Sequence, residues 1–136
     1  MVRDFDKKAY SENDAKAKAI WIKHLQKKGF AILDAEENLG IDILAFSNGT
    51  EYRFEVEMNC RKSLTTGNYI SFLQRKARMK NFYYVIIHEN TKQYVATHST
   101  NIFKAEYLVT KEVISRGGGI DIFYHVPLEV LKVNKL

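Results

Sequence analysis

A chain of 136 residues with 46% hydrophobic, 12% aromatic and 27% charged residues has the makeup of one globular domain and excludes an intrinsically disordered chain. One Pro and seven Gly leave no linker, repeat or low-complexity tract to divide it, so residues 1–136 read as a single domain. A formal net charge of +5 suits a polyanionic partner such as DNA or RNA, although mildly basic domains are common.

Asn13 to Lys28 reads as a helix. Ala17, Ile20, Trp21, His24, Leu25 and Lys28 recur at three- and four-residue spacing and make one face. Ser11 is placed to cap it, with Asp14 three residues on, and Gly29 ends it. Phe30 to Asp34 and Ile41 to Phe46 are apolar runs that read as strands. Asn48-Gly49 is a hairpin signal. Beyond it Tyr52, Phe54, Val56 and Met58 alternate with Glu51, Arg53, Glu55 and Glu57, which is strand patterning. Asn59 to Asn68 is a polar loop. Ile70 to Lys80 fits a helix through Ile70, Leu73 and Ala77, or a strand end through Ile70 and Phe72. Phe82 to His88 is a buried strand and Gln93 to Thr97 a further one. A helix starts at Ser99 and includes Ile102, Phe103 and Ala105. Gly117-Gly118-Gly119 breaks the chain before a final strand, Ile120 to Val126. A helix packed on a mixed sheet satisfies this order, so the fold class is α/β.

Asp42 interrupts a run that is otherwise apolar on both sides. A carboxylate there needs a partner, a metal or a route to solvent. Glu55 and Glu57 share one face of the next strand, and folding the hairpin at Asn48-Gly49 can bring Glu55 near Asp42. Three converging carboxylates repel one another unless protonated or bridged, and a hard cation such as Mg²⁺ suits them. The alternative is that Glu51, Arg53, Glu55 and Glu57 are the solvated face of an amphipathic hairpin.

The stretch Gly40-Ile41-Asp42-Ile43-Leu44-Ala45-Phe46, the hairpin and Phe54-Glu55-Val56-Glu57 resemble the core of the PD-(D/E)XK nucleases. That superfamily places a helix, then an Asp on one strand, then an acid-x-Lys on the next. The likeness runs from about Asn13 to His88. It implies a restriction-endonuclease-like mixed β-sheet flanked by helices, and a DNA endonuclease dependent on Mg²⁺ or Mn²⁺. Asp42 matches the Asp and Glu55 the first acid, with the Val56 carbonyl as a further metal ligand. Glu57 falls where Lys is usual, so it either joins the metal shell and acts as a base or a Lys comes from elsewhere. Lys76, in Gln74-Arg75-Lys76, is the first candidate, with Arg75 to hold a phosphate. Asp14 is the acid the first helix can add. Arg61, Lys62, Arg75, Lys76, Arg78 and Lys80 are candidate nucleic-acid contacts, or else solvated basic residues. DNA is the expected partner rather than RNA, and a homodimer would let one-site subunits cut both strands. The departure at Glu57 leaves a second reading open, a catalytically silent nucleic-acid-binding or regulatory protein on the same fold.

Other chemistry is excluded. Cys60 is the only cysteine, so there is no internal disulfide and no cysteine-based zinc site. His24, His88, His98 and His125 lack metal-ligand spacing, and the three glycines lack the Lys-Ser or Lys-Thr of a P-loop. Phe82, Tyr83 and Tyr84 read as core rather than as a base-stacking platform. No apolar run approaches the ~20 residues of a membrane span, and Met1 to Tyr10 is charged rather than apolar, so a cytoplasmic protein is expected.

Overall fold

Ala17, Trp21 and Leu25 recur every four residues and form the buried stripe of the first helix. The computed structural model describes residues 7–33, 42–73, 79–101, 106, 108–112 and 120–136. In chain order the elements are α1 (Lys7–Lys27), β1 (Ala31–Leu33), β2 (Ile43–Ser47), β3 (Thr50–Asn59), β4 (Tyr69–Leu73), β5 (Phe82–His88), β6 (Gln93–His98), β7 (Leu108–Glu112), β8 (Ile120–Pro127) and β9 (Val133–Lys135). Short 3-10 turns follow β6 and β8. Among the described residues no helix is long and apolar enough to cross a membrane.

Helix α1 begins at Lys7, not at Asn13. Lys7, Lys8 and Ala9 are good helix formers, so nothing stops the helix before Ser11. Ser11 therefore lies inside α1 rather than capping it, and Asp14 pairs with Lys18 one turn on. The C-terminus ends as expected. Gly29 takes φ +91°, its N–H donates to the Gln26 carbonyl (3.1 Å), and the Phe30 N–H donates to the Leu25 carbonyl (3.0 Å). These crossed bonds satisfy two carbonyls that the helix end leaves open.

Strands β1, β2 and β3 form an antiparallel meander. Asn48 (φ 50°) and Gly49 (φ 80°) are both left-handed, which matches the twist of a two-residue hairpin and sets Ser47 opposite Thr50. Strand β5 then lies parallel to β3, with Glu55 opposite Tyr84 and Glu57 opposite Ile86. Strands β6 and β9 complete a six-stranded mixed sheet of order β1-β2-β3-β5-β6-β9. A second, antiparallel sheet has the order β4-β8-β7.

The main sheet is buried on both faces. Ile43, Ala45, Phe54, Val56, Val85 and Ile87 pack with Trp21 and Leu25 of α1. The Trp21 ring meets Phe54 at 5.7 Å and Tyr94 at 5.1 Å, both edge-on. On the other face Phe82, Tyr84, Ile86 and Val95 pack with Ile70, Tyr124, Val126 and Leu128. The architecture is mixed α/β, as expected. Among the described residues the sheet has α1 on one face and a second sheet, rather than the expected helices, on the other. Of the stretch Ile70 to Lys80, which fits a helix or a strand end, Ile70 to Leu73 is strand, with Ile70 in that core, and residues 74–78 lie outside the described residues. Of the helix expected from Ser99, the described part is a 3-10 turn at Ser99–Asn101, and Ile102, Phe103 and Ala105 lie outside the described residues.

Gly29→Ala places a side chain at a positive φ where nothing within 4 Å would clash, so the cost is backbone strain alone. Urea unfolding should show a loss of about 1 kcal/mol with an unchanged m-value.

Candidate functional site

Helix α1 packs on β3, and its Lys18 reaches the point where the chain enters β2. The Asp42 N–H donates to the Phe54 carbonyl (3.1 Å), although the register pairs Phe54 with Ile43. Two consecutive residues thus face one, and the resulting bend turns the Asp42 side chain back onto β3. Its Oδ2 accepts the Val56 N–H at 2.9 Å. Its Oδ1 lies 3.6 Å from the Lys18 ammonium, which also lies 3.2 Å from Asp14 Oδ2. Asp14, Lys18 and Asp42 therefore form an acid–ammonium–acid chain between helix and sheet. Partial burial alone would lower the Lys18 pKa, but Asp14 and Asp42 outweigh it and hold the ammonium above its ordinary value.

Lys18 was not expected from the sequence. Its one signal was the Asp14-x-x-x-Lys18 spacing, which reads equally as an ordinary surface helix pair.

Glu55 and Glu57 alternate with Phe54 and Val56, which pack toward α1, so the two glutamates belong to the opposite side of β3. Glu55 is half-buried and engaged with a partner, and Glu57 is exposed. The expected gathering of Asp42, Glu55 and Glu57 is not seen: among the described residues no group of three or more His, Cys, Asp or Glu is arranged to hold a metal ion. The oxygen chemistry nonetheless suits a hard cation. Two carboxylates already hold a positive centre between them, and that centre is Lys18.

A cleft of about 600 Å³ opens beside this chain, and Asp14, Glu57, Arg61, Asn68, Tyr69 and His125 are among its lining residues. Its far wall is the loop after β3, which the structure fixes with side-chain amides. The Asn59 Oδ1 accepts the Arg61 N–H (2.8 Å), and the Asn68 Nδ2 donates to the Ser63 (2.7 Å) and Leu64 (3.0 Å) carbonyls. Arg61 Nη1 donates to Asn68 Oδ1 at 2.9 Å. His88, 1% exposed, donates from Nε2 to the Arg61 carbonyl (2.6 Å), and its Nδ1 faces the Thr91 hydroxyl at 2.7 Å. His88 is thus a buried structural anchor, as its place at the end of an apolar strand suggests. Phe82 and Tyr84 are core, as expected. Cys60 lines the cleft, but burial and the neighbouring Glu89 push its thiol up, so it stays protonated at neutral pH.

The basic candidates separate. Arg61 lines the cleft, and Lys62 is exposed on the same loop. Lys80 stands near the start of β3, where its carbonyl accepts from Arg53 Nη1 (2.8 Å), and it does not line the cleft. Arg75, Lys76 and Arg78 lie outside the described residues. Compared with known proteins, the chain matches no family model, no curated protein and no solved structure.

Lys18→Met tests the ammonium. Because Lys18 is held above its ordinary 10.5, its contribution is full below that value and is lost as pH rises through the raised folded value. The wild-type advantage in urea unfolding, about 0.5–1 kcal/mol after solvent screening, should be constant from about pH 6 to 9 and close above 10.5.

Proposed function

We infer that this protein is a metal-dependent endonuclease acting on DNA, with a restriction-endonuclease-like core. The observation that carries the reading is Asp42, turned onto β3 and linked through Lys18 to an acid of the first helix, beside a cleft lined by Glu57 and Arg61. The order helix, Asp at the head of β2, Glu-x-Glu on β3 and a later strand beside β3 supports it. The net charge of +5 supports a phosphate-bearing substrate.

On this reading Asp42, Glu55 and the Val56 carbonyl would hold the ion, with Asp14 and Glu57 as further oxygen donors, and the ion would have to draw together carboxylates that this structure does not gather. Mg²⁺ or Mn²⁺ supplies polarisation of the phosphate and a water of lowered pKa. The chain's own groups do the rest. The Lys18 ammonium supplies, from the helix, the positive charge that the motif has at the position of Glu57. It offsets the charge of Asp14 and Asp42 and offers N–H donors to a phosphate oxygen. Glu57, exposed at the cleft, accepts a proton from water. Arg61, braced by Asn68, holds a flanking phosphate.

One observation favours the silent binder instead. Lys18 already pairs with both Asp14 and Asp42, leaving one net negative charge between them, and no three-ligand group forms among the described residues. A nicking and cutting assay on plasmid and branched DNA, with Mg²⁺, Mn²⁺ and EDTA, decides between them. Asp42→Asn keeps an acceptor for the Val56 N–H, so the fold should survive while metal-dependent cleavage is lost. Glu55→Gln should also abolish cleavage. Lys18→Ala should lower turnover by roughly 10²–10³-fold, as loss of one charge-stabilising donor does, and Lys18→Arg should recover part of it. Full activity in Asp42→Asn, or salt-dependent binding with no cleavage in any metal, rejects the nuclease assignment.

A further inference from the structure

Tyr69 opens β4 and is 53% exposed, unlike Phe82 and Tyr84, which are core. Its ring lies on that of His125 from β8, with centroids 4.4 Å apart and planes inclined by 15°. The stack is held from below. Ile70 and Val126, paired across β4 and β8, are each 1% exposed in the inter-sheet core. An exposed aromatic ring held flat on a neighbour keeps a face for a second flat partner. Both rings line the cleft that also holds Glu57 and Arg61. Arg61 is held ready on the same wall. Its guanidinium donates one N–H to Asn68, and Asn68 is itself 8% exposed and tied to the Ser63 and Leu64 carbonyls. The remaining N–H groups of the fork suit phosphate oxygens.

A stacking ring and a braced guanidinium in one cleft define a nucleotide subsite: π-surface for the base, charge for the backbone. We propose that the cleft takes an unpaired nucleobase on the Tyr69–His125 stack, so that the nucleic acid bound here is single-stranded at the site. Bases within a duplex are stacked on one another and offer no open face to a protein ring. The cleft of about 600 Å³ has room for a nucleotide and not for a duplex. The inference rests on the nucleic-acid half of the proposed function and not on cleavage. The substrate class that follows is a single strand, flap, gap or branch rather than continuous double helix.

The test is binding in EDTA, where cleavage plays no part. Fluorescence anisotropy compares a labelled oligothymidylate with a blunt duplex of the same length, for the full chain and for Tyr69→Ala, Tyr69→Phe and Arg61→Ala. The single strand should bind more tightly than the duplex. Tyr69→Ala should weaken single-strand binding by roughly 5- to 150-fold, the range for one base–aromatic stack, with an unchanged salt slope. Tyr69→Phe should retain it, and Arg61→Ala should lower the salt slope by about one unit. Should Tyr69→Ala fail to fold, photocrosslinking of an iodouracil-containing oligonucleotide to the wild-type chain must label Tyr69 or His125. Equal affinity of Tyr69→Ala and wild type, preference for duplex, absence of any nucleic-acid binding, or crosslinks away from both rings would each overturn the proposal. Loss of the nuclease reading in the plasmid assay, with these binding results intact, leaves the stacking subsite standing.

Discussion

Strand β5 is buried on both faces, and the placement of every polar group near it follows from that. Phe82, Tyr84 and Ile86 face the second sheet, while Val85 and Ile87 face α1. Each large side chain so buried contributes about 1.5–3 kcal/mol. No unpaired carboxylate can share that environment without a comparable penalty. The acids therefore collect at the margin, at the head of β2 and on β3. The first strand to carry charge is the parallel neighbour of β5, whose Glu55 and Glu57 lie level with Tyr84 and Ile86.

The Asp14–Lys18–Asp42 chain depends on this packing and does not create it. A partly exposed ion pair is worth about 0–1 kcal/mol, less than a single buried side chain such as Trp21. The register of α1 on the sheet is set by Ala17, Trp21 and Leu25, which places Lys18 beside the bend at Asp42. A weak contact held in place by strong neighbours can be rearranged at small cost. That is the property required of a lysine that must yield carboxylate oxygens to an incoming ion or phosphate, as the proposed function asks of it.

The sequence made some of this legible, and the reasons divide cleanly. Phe82 to His88 was readable because continuous burial leaves a continuous apolar run. The hairpin was readable because Asn48 and Gly49 both take positive φ, and few other residue pairs do so cheaply. Gly29 marked the helix end for the same reason. Strand β9, with the exposed Val133, carries no such mark, since an edge strand need not be apolar on either face. The start of α1 was misplaced because Ser11 can cap a helix or sit inside one, and the choice rests on the residues before it. Lys18 and Tyr69 were missed for a different cause. Each acquires its neighbours only through tertiary packing, Lys18 from Asp42 and Tyr69 from His125, more than twenty residues away in each case.

The polar loop after β3 shows how a segment without helix or strand can still be rigid. Its backbone groups cannot pair in a ladder, yet those near the core must be satisfied. Asn59, Asn68 and His88 supply the missing partners, and Leu64 gives the loop one apolar foot in the inter-sheet core. The Leu128 N–H donates to the Asn68 carbonyl (2.9 Å), and the Glu129 carboxylate accepts the Gly67 N–H (3.2 Å), so the loop is joined to the chain just beyond β8. His125 lies on β8, so the aromatic stack and the Arg61 guanidinium share one support. On the other side His88 ends β5, and the Asn59 carbonyl accepts the Glu89 N–H (3.1 Å), which ties the loop to the strand beside Glu57. The acidic wall and the stacking wall of the cleft are therefore connected through this set of hydrogen bonds. A substitution at His88, buried behind the cleft, or at Asn68, which braces Arg61, would loosen both walls together.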